Sequence, residues 1–179
     1  LTLLKLLAMA EQRQGDAGHP GVDIVIIGGG ATGVELAAEL REASGVYAAY
    51  GFQNLNAIKD VRITLLEGAP RILAPLPERV SIAASKLLHQ HGITVVTETR
   101  VTSIDPDKVT VASGTSYAAD ICVWAAGIRA PEFLATLGLP TNRAGQLEVT
   151  GMLNVQGHAN IFALGDCAAC MGPDGKLVP

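Results

Sequence analysis

Aromatic residues are scarce in this chain: one Trp, three Tyr and three Phe among 179 residues. Twenty glycines and many alanines accompany that scarcity, a composition expected where helices pack closely on a sheet and backbone must approach a ligand. Lys and Arg number 13 against 17 Asp and Glu, giving a formal net charge of −4, and the basic residues nowhere cluster. The attraction that supplies most non-specific nucleic-acid affinity is therefore missing, which excludes nucleic acid as a partner. Three cysteines, Cys122, Cys167 and Cys170, are too few for a secreted disulfide framework, and a reducing, cytoplasmic compartment fits them better. No apolar run approaches the ~20 residues that a bilayer span requires. The apolar opening, Leu1 to Ala10, is short and lacks a signal-peptide cleavage site. It reads as an amphipathic helix burying Leu3, Leu4 and Leu7 rather than as a membrane insertion. His89 and His91 face different sides of one helix, and His19 and His158 are isolated, so no metal-ligand set forms.

What is present is an alternation of buried strands and helices. A loop from Gln14 to Gly21 precedes the β-branched run Asp23 to Ile27, which reads as a fully buried strand. Helix formers follow from Ala31 to Ala43, then a strand from Val61 to Leu66 ending at Glu67. A helix is expected over Glu78 to His91, stopped by Gly92, and a strand over Ile93 to Val96. Between Thr99 and Tyr117, three short alternating segments are punctuated by Asp105-Pro106-Asp107 and Ser113-Gly114, the pattern of an antiparallel meander. Ile121 to Ala125 reads as another buried strand, and Asn160 to Leu164 as a last apolar strand capped by Gly165-Asp166. The fold class is α/β, a Rossmann-like doubly wound parallel sheet with an inserted three-stranded antiparallel meander.

Gly28, Gly30 and Gly33 form GxGxxG between a buried strand and a helix. The first glycine allows the tight turn, the second lets backbone approach a pyrophosphate, and the third lets helix and strand touch. The helix N-terminus offers unpaired N–H groups and a partial positive charge to the same anion. Gly28, Gly29, Gly30, Ala31, Thr32 and Gly33 are thus candidate NAD(H) contacts. Glu67, at the end of the second strand, is placed to accept bonds from the adenosine ribose hydroxyls and to repel a 2′-phosphate, favouring NADH. Arg71 argues the other way, since an arginine near this strand end can accommodate that phosphate. Ala126 and Gly127 provide small residues for the far side of the dinucleotide, and Val101 is a candidate for packing on adenine. From Gly33 to Glu67 is 34 residues, against about 20 in a minimal unit. The excess, Ser44 to Asp60, carries Tyr47, Tyr50 and Phe52 and reads either as a surface excursion or as a partner or domain interface.

Taken in order, GGGATGVE, ITLLEGAPRIL, VWAAGI and NIFALGDCA resemble the two-dinucleotide flavoprotein reductases, the FAD/NAD(P)-dependent pyridine nucleotide-disulfide oxidoreductase superfamily, and within it most closely the type II NADH dehydrogenases. That resemblance implies NADH passing hydride to FAD, and FAD reducing a quinone. It implies that Asp166 contacts the ribityl chain of FAD and that Glu35, directly after the glycine turn, assists near the nicotinamide. From the residues alone, Glu35 is equally a first-turn acid stabilised by the helix dipole. The FAD domain's own GxGxxG and the family's C-terminal membrane-associating helices have no counterpart in these 179 residues. The chain is therefore expected to be a fragment whose parent is peripheral on the cytoplasmic face of the inner membrane. Its expected divisions are a connecting helix and loop (1–20), an NAD(H)-binding domain (21–130), and a linker with a returning part of the FAD domain (131–179), with a homodimer left open. Three alternatives remain: a ferredoxin-type reductase, a disulfide-type reductase using Cys167 and Cys170 as a dithiol, and a non-enzymatic NADH-sensing module.

Overall fold

The structure, a computed structural model, describes residues 2–12, 21–50, 56–127 and 129–178. The loop read before Gly21, and Phe52, lie outside these residues, as do the side chains of Leu3 and Tyr50. The chain divides into two compact units, Leu1–Ala126 and Gly127–Pro179.

In the first unit, α1 (Thr2–Gln12), β1 (Val22–Ile27), α2 (Ala31–Tyr50), β2 (Val61–Leu66), α3 (Glu78–Gln90), β3 (Ile93–Val96) and β7 (Ile121–Trp124) frame a four-stranded sheet of order β3-β2-β1-β7. All three pairings are parallel, with Ile24 opposite Ile63 on one side and Ile121 on the other. Between β3 and β7 the chain forms the meander β4 (Val101–Ile104), β5 (Lys108–Val111) and β6 (Ser116–Ala118), paired antiparallel in that order.

The period of two along β1 explains how the unit is layered. Val22, Ile24 and Ile26 point into one core with Leu7 of α1, Ala37 of α2 and Leu88 of α3. Val25 and Ile27 point the other way, into a second core with Val109 and Val111 of the meander. Helices cover one face and the meander the other, so β1 is buried along its whole length. Each fully buried Val, Leu or Ile contributes about 1.5–3 kcal/mol.

Four expectations need correction. Leu4 is 40% exposed; of the face expected for α1, Leu7 is fully buried, and Leu6 rather than Leu4 packs beside it on the core. The second helix does not stop at Ala43 but runs to Tyr50, because the Ser44 hydroxyl donates to Leu40 O at 2.6 Å inside the helix and so satisfies itself there. The extra length before β2 is thus partly helix, with Tyr47 exposed on it. The last strand of the sheet, β7, is an edge strand, half-buried over Ile121 to Val123 and exposed at Trp124, not a buried one.

Arg41 fastens the lengthened α2 to the sheet. The residue is 6% exposed, and its guanidinium donates to Ala57 O, to Val61 O at 2.8 Å and to Gly92 O at 3.2 Å. Three connections thereby share one buried cation, whose pKa is lowered by desolvation. At the same end of the sheet, Arg62 pairs with Asp23 at 2.6 Å, and that bond raises the Arg62 pKa.

The second unit holds β8 (Leu147–Val149) parallel to β9 (Ala168–Cys170). Its core is Ala130, Leu134, Leu147, Val149, Val155 and Ala163. The fourth correction falls here: Asn160 to Leu164 is not a strand. It makes one bridge, Asn154 to Phe162, and leaves Phe162 and Leu164 60% and 70% exposed. The strand lies just downstream in β9, where Gly165 (φ +71) turns the chain through a short 3-10 turn first.

Candidate dinucleotide site

The glycine turn begins while the chain is still in the sheet: Gly28 donates its N–H to Leu66 O at 2.8 Å. Gly28 has φ +113, and a Cβ there would meet Ala125 O at 2.5 Å and Ala126 Cα at 2.6 Å. Only glycine lets β1 turn this close to the end of β7. A Cβ on Gly33 would lie 1.9 Å from Gly28 O, so its absence lets α2 rest on the turn. Gly30 differs, being exposed and with nothing within 4 Å of a built Cβ. The turn is therefore closed by Gly28 and Gly33 and open at Gly30.

Ala31 and Thr32 are the first residues of α2, both exposed, and the helix's own ladder starts with Val34 N–H donating to Gly30 O at 3.1 Å. N–H groups earlier in this first turn have no acceptor within the helix. Glu35 is exposed on α2, one residue past the first turn, which weakens its reading as a first-turn acid.

Glu67 is brought to the turn and held there. Its Oε2 accepts the Gly29 N–H at 2.5 Å and its Oε1 accepts the Ala69 N–H at 2.7 Å. A carboxylate offers about four lone-pair sites, so each oxygen keeps one for a further donor. The Glu67 carbonyl accepts from Thr99 N–H at 2.8 Å, which ties the start of the meander to the same place. Val101, two residues on, is half-buried against the second core. Gly28, Gly29, Gly30, Gly33, Glu67 and Ala126 are thus gathered at one end of the first sheet.

Gly127 (φ +93) and Asp166 belong to the second unit. Asp166 is exposed in the 3-10 turn Gly165–Cys167, and its carbonyl accepts from Gln146 Nε2 at 3.1 Å. Gly165 beside it has nothing within 4 Å of a built Cβ, so an exposed carboxylate adjoins open backbone. That arrangement fits a hydroxyl-bearing ligand such as the ribityl chain of FAD. Both cysteines nearby are free thiols: Cys167 donates to Leu164 O at 3.3 Å, Cys170 to Thr150 O at 3.7 Å, and both pack on the unit's core.

One feature of the site was not legible in the sequence. The loop after β2 folds back onto the turn, where Leu73 donates its N–H to Gly29 O at 2.7 Å and Ile72 is fully buried. Leu73 has φ +51, unusual for a branched side chain, and no residue type there signals it.

Comparison with known proteins gives the family. The family model for pyridine nucleotide-disulphide oxidoreductases matches residues 5–178. The type II NADH:quinone oxidoreductase of Haemophilus influenzae is 41% identical over 88% of this chain and 36% of its own length. The demethylphylloquinone reductase NdbB of a Synechocystis strain is 36% identical over 88% of this chain and 37% of its own. The chain thus spans little more than a third of these relatives. Among solved structures, NDH2 of Plasmodium falciparum in complex with NADH superposes with a TM-score of 0.75 at 23% identity, over 93% of this chain and 37% of that one. A ferredoxin reductase of Rhodopseudomonas palustris gives 0.69 at 26%, with the same coverage. The match across nearly the whole length is decisive: this chain belongs to the pyridine nucleotide-disulphide oxidoreductase family.

Proposed function

We propose that this chain is the NADH-binding part of a type II NADH dehydrogenase, in which NADH reduces FAD and the electrons pass to a quinone. The observation that carries the reading is the glycine turn: closed by backbone contact at Gly28 and Gly33, open at Gly30, with Glu67 fixed beside it. Such a turn at a helix N-terminus accepts a pyrophosphate through backbone N–H groups. The two free carboxylate positions of Glu67 accept the ribose hydroxyls, and the same charge repels a 2′-phosphate. Ala126 and Gly127 line the far side of the dinucleotide, Val101 packs on adenine, and Glu35 stands near the nicotinamide end.

FAD, when bound, supplies the hydride acceptor. The chain's own contribution toward it is Asp166, whose exposed carboxylate accepts a hydroxyl of that cofactor. Quinone is favoured over ferredoxin as the acceptor because the curated relatives named above are quinone reductases. Among the described residues no helix is long and apolar enough to cross a membrane. Peripheral attachment of the whole protein to the cytoplasmic face of the inner membrane is part of this proposal.

Calorimetric titration with NADH and NADPH, on wild type and Glu67→Ala, tests the reading. Tighter NADH binding that the substitution erodes supports it. Equal affinity for both nucleotides in wild type removes the role given to Glu67, and binding of neither removes the dinucleotide site.

A further inference from the structure

Arg71 is the cation that the sequence places nearest Glu67, and the structure commits it elsewhere. Its Nη1 donates to Leu76 O at 2.9 Å, to Leu73 O at 3.3 Å and to Ser81 Oγ at 2.6 Å, and its Nη2 donates to Ala74 O at 2.6 Å. Ser81, 3% exposed on α3, passes the connection on by donating to Ile72 O at 2.6 Å. One guanidinium and one hydroxyl therefore hold the carbonyls of Ile72, Leu73, Ala74 and Leu76, four of the five residues from 72 to 76 in the connection between β2 and α3.

That bend reaches the candidate site directly. The Leu73 N–H donates to Gly29 O at 2.7 Å, while the Gly29 N–H donates to Glu67 Oε2. A Cβ on Gly29 would lie 2.8 Å from Ile72 Cγ2 and 3.0 Å from Glu67 Oε2, so the residue is gripped from both sides. Left to itself, a leucine avoids the φ of +51 that Leu73 adopts. Something must hold it there, and the Arg71 bonds to its own carbonyl and to its neighbours do so.

We propose that Arg71 and Ser81 are positioning residues, a clamp that holds the Leu73 bend against Gly29 and so sets the shape of the dinucleotide turn, with Arg71 withheld from any 2′-phosphate. The inference rests on the NADH-binding reading above and extends it to what positions the turn that holds the nucleotide. Arg71 follows Glu67 by four residues in the sequence, but its donors are directed into the loop. The planar fork of arginine suits four acceptors arranged around it, and a lysine cannot reproduce that geometry.

The test is steady-state kinetics of the full-length flavoprotein with NADH and NADPH, with flavin content and melting temperature measured on every variant. Arg71→Ala is expected to raise KM for both nucleotides together, on the order of ten- to hundredfold, with kcat changed far less and the NADH to NADPH preference unchanged. Arg71→Lys is expected to follow Arg71→Ala, because charge alone does not make the clamp. Ser81→Ala gives the same pattern at smaller size and serves if Arg71→Ala fails to fold. Selective loss of NADPH use in Arg71→Ala, kept in Arg71→Lys, would overturn the proposal by making Arg71 a phosphate contact. A lowered melting temperature with both KM values unchanged also overturns it, leaving a purely structural arginine. In both cases wild-type NADH oxidation leaves the proposed function standing, whereas a wild-type holoenzyme that oxidises neither nucleotide removes that function and the clamp together.

Discussion

Gly33 stands against the carbonyl of Gly28 so closely that a Cβ on it would lie 1.9 Å from that oxygen, whereas one on Gly30 meets nothing within 4 Å. The two glycines of one motif are therefore separable by mutation. Gly33→Ala must push α2 off the turn and is expected to cost about 1–3 kcal/mol of stability, as overpacking does. Gly30→Ala is expected to leave stability within about 0.5 kcal/mol, like other surface changes, and to weaken NADH binding by crowding the pyrophosphate. Urea midpoints and NADH titrations on both variants check this. Equal destabilisation by the two would show that the open side of the turn is not open.

Glu67 carries two loads, and the second is internal. Its oxygens accept from Gly29 and Ala69, so Glu67→Gln leaves one amide oxygen to serve two N–H donors. The expected loss is about 1–3 kcal/mol in stability for the donor left without a partner. Discrimination against NADPH should fall at the same time, because the repelling charge is gone. A Glu67→Gln protein with wild-type stability and altered nucleotide preference would mean that the bonds to the turn are dispensable.

Much of this was readable beforehand, and the misses have physical causes. β1, β2, β3 and the meander follow from β-branched runs and turn residues, which act locally. The clamp on Gly29 was not readable, because it joins residues on a turn, a strand end and a helix through backbone carbonyls that carry no sequence signal. The end of α2 was misplaced because Ser44 and Gly45 look like breakers, and whether a serine hydroxyl is satisfied within the helix depends on its rotamer. Asn160 to Leu164 has the apolar content of a strand but makes a single bridge, while two of the three residues of β9, Ala168 and Ala169, are alanines, which are depleted in strands. Pairing with β8 decides that segment, and pairing is not a property of the segment alone.

Arg41 is the strongest candidate for a stability-critical polar residue. Arg41→Ala strands the carbonyls of Ala57, Val61 and Gly92 and empties the space beneath α2. A loss of about 3 kcal/mol or more is expected, since charged hydrogen bonds are worth roughly 1.5–3 kcal/mol each and do not add fully. Arg41→Lys should fall between, reaching fewer acceptors. Urea unfolding with an unchanged m-value is the measurement, and a loss below about 1 kcal/mol would show that water replaces the guanidinium.

Cys122 gives the pH dependence. It packs against the core formed by Val25, Ile27 and the meander, and burial pushes its thiol pKa up from 9.0. The unfolded chain therefore ionises this group first. The stability contributed by keeping it protonated is complete below 9.0 and is lost as the pH rises through the higher folded value. Wild type should lose more stability than Cys122→Ala, where the group is absent, as the pH is raised above 9.0. Because the thiolate is the reacting species, alkylation of Cys122 should also be slower in the folded chain than in urea at the same pH. Equal pH profiles for the two proteins, together with equal alkylation rates in folded and unfolded chain, would mean that the thiol is in free contact with solvent and that β7 does not turn it into the core.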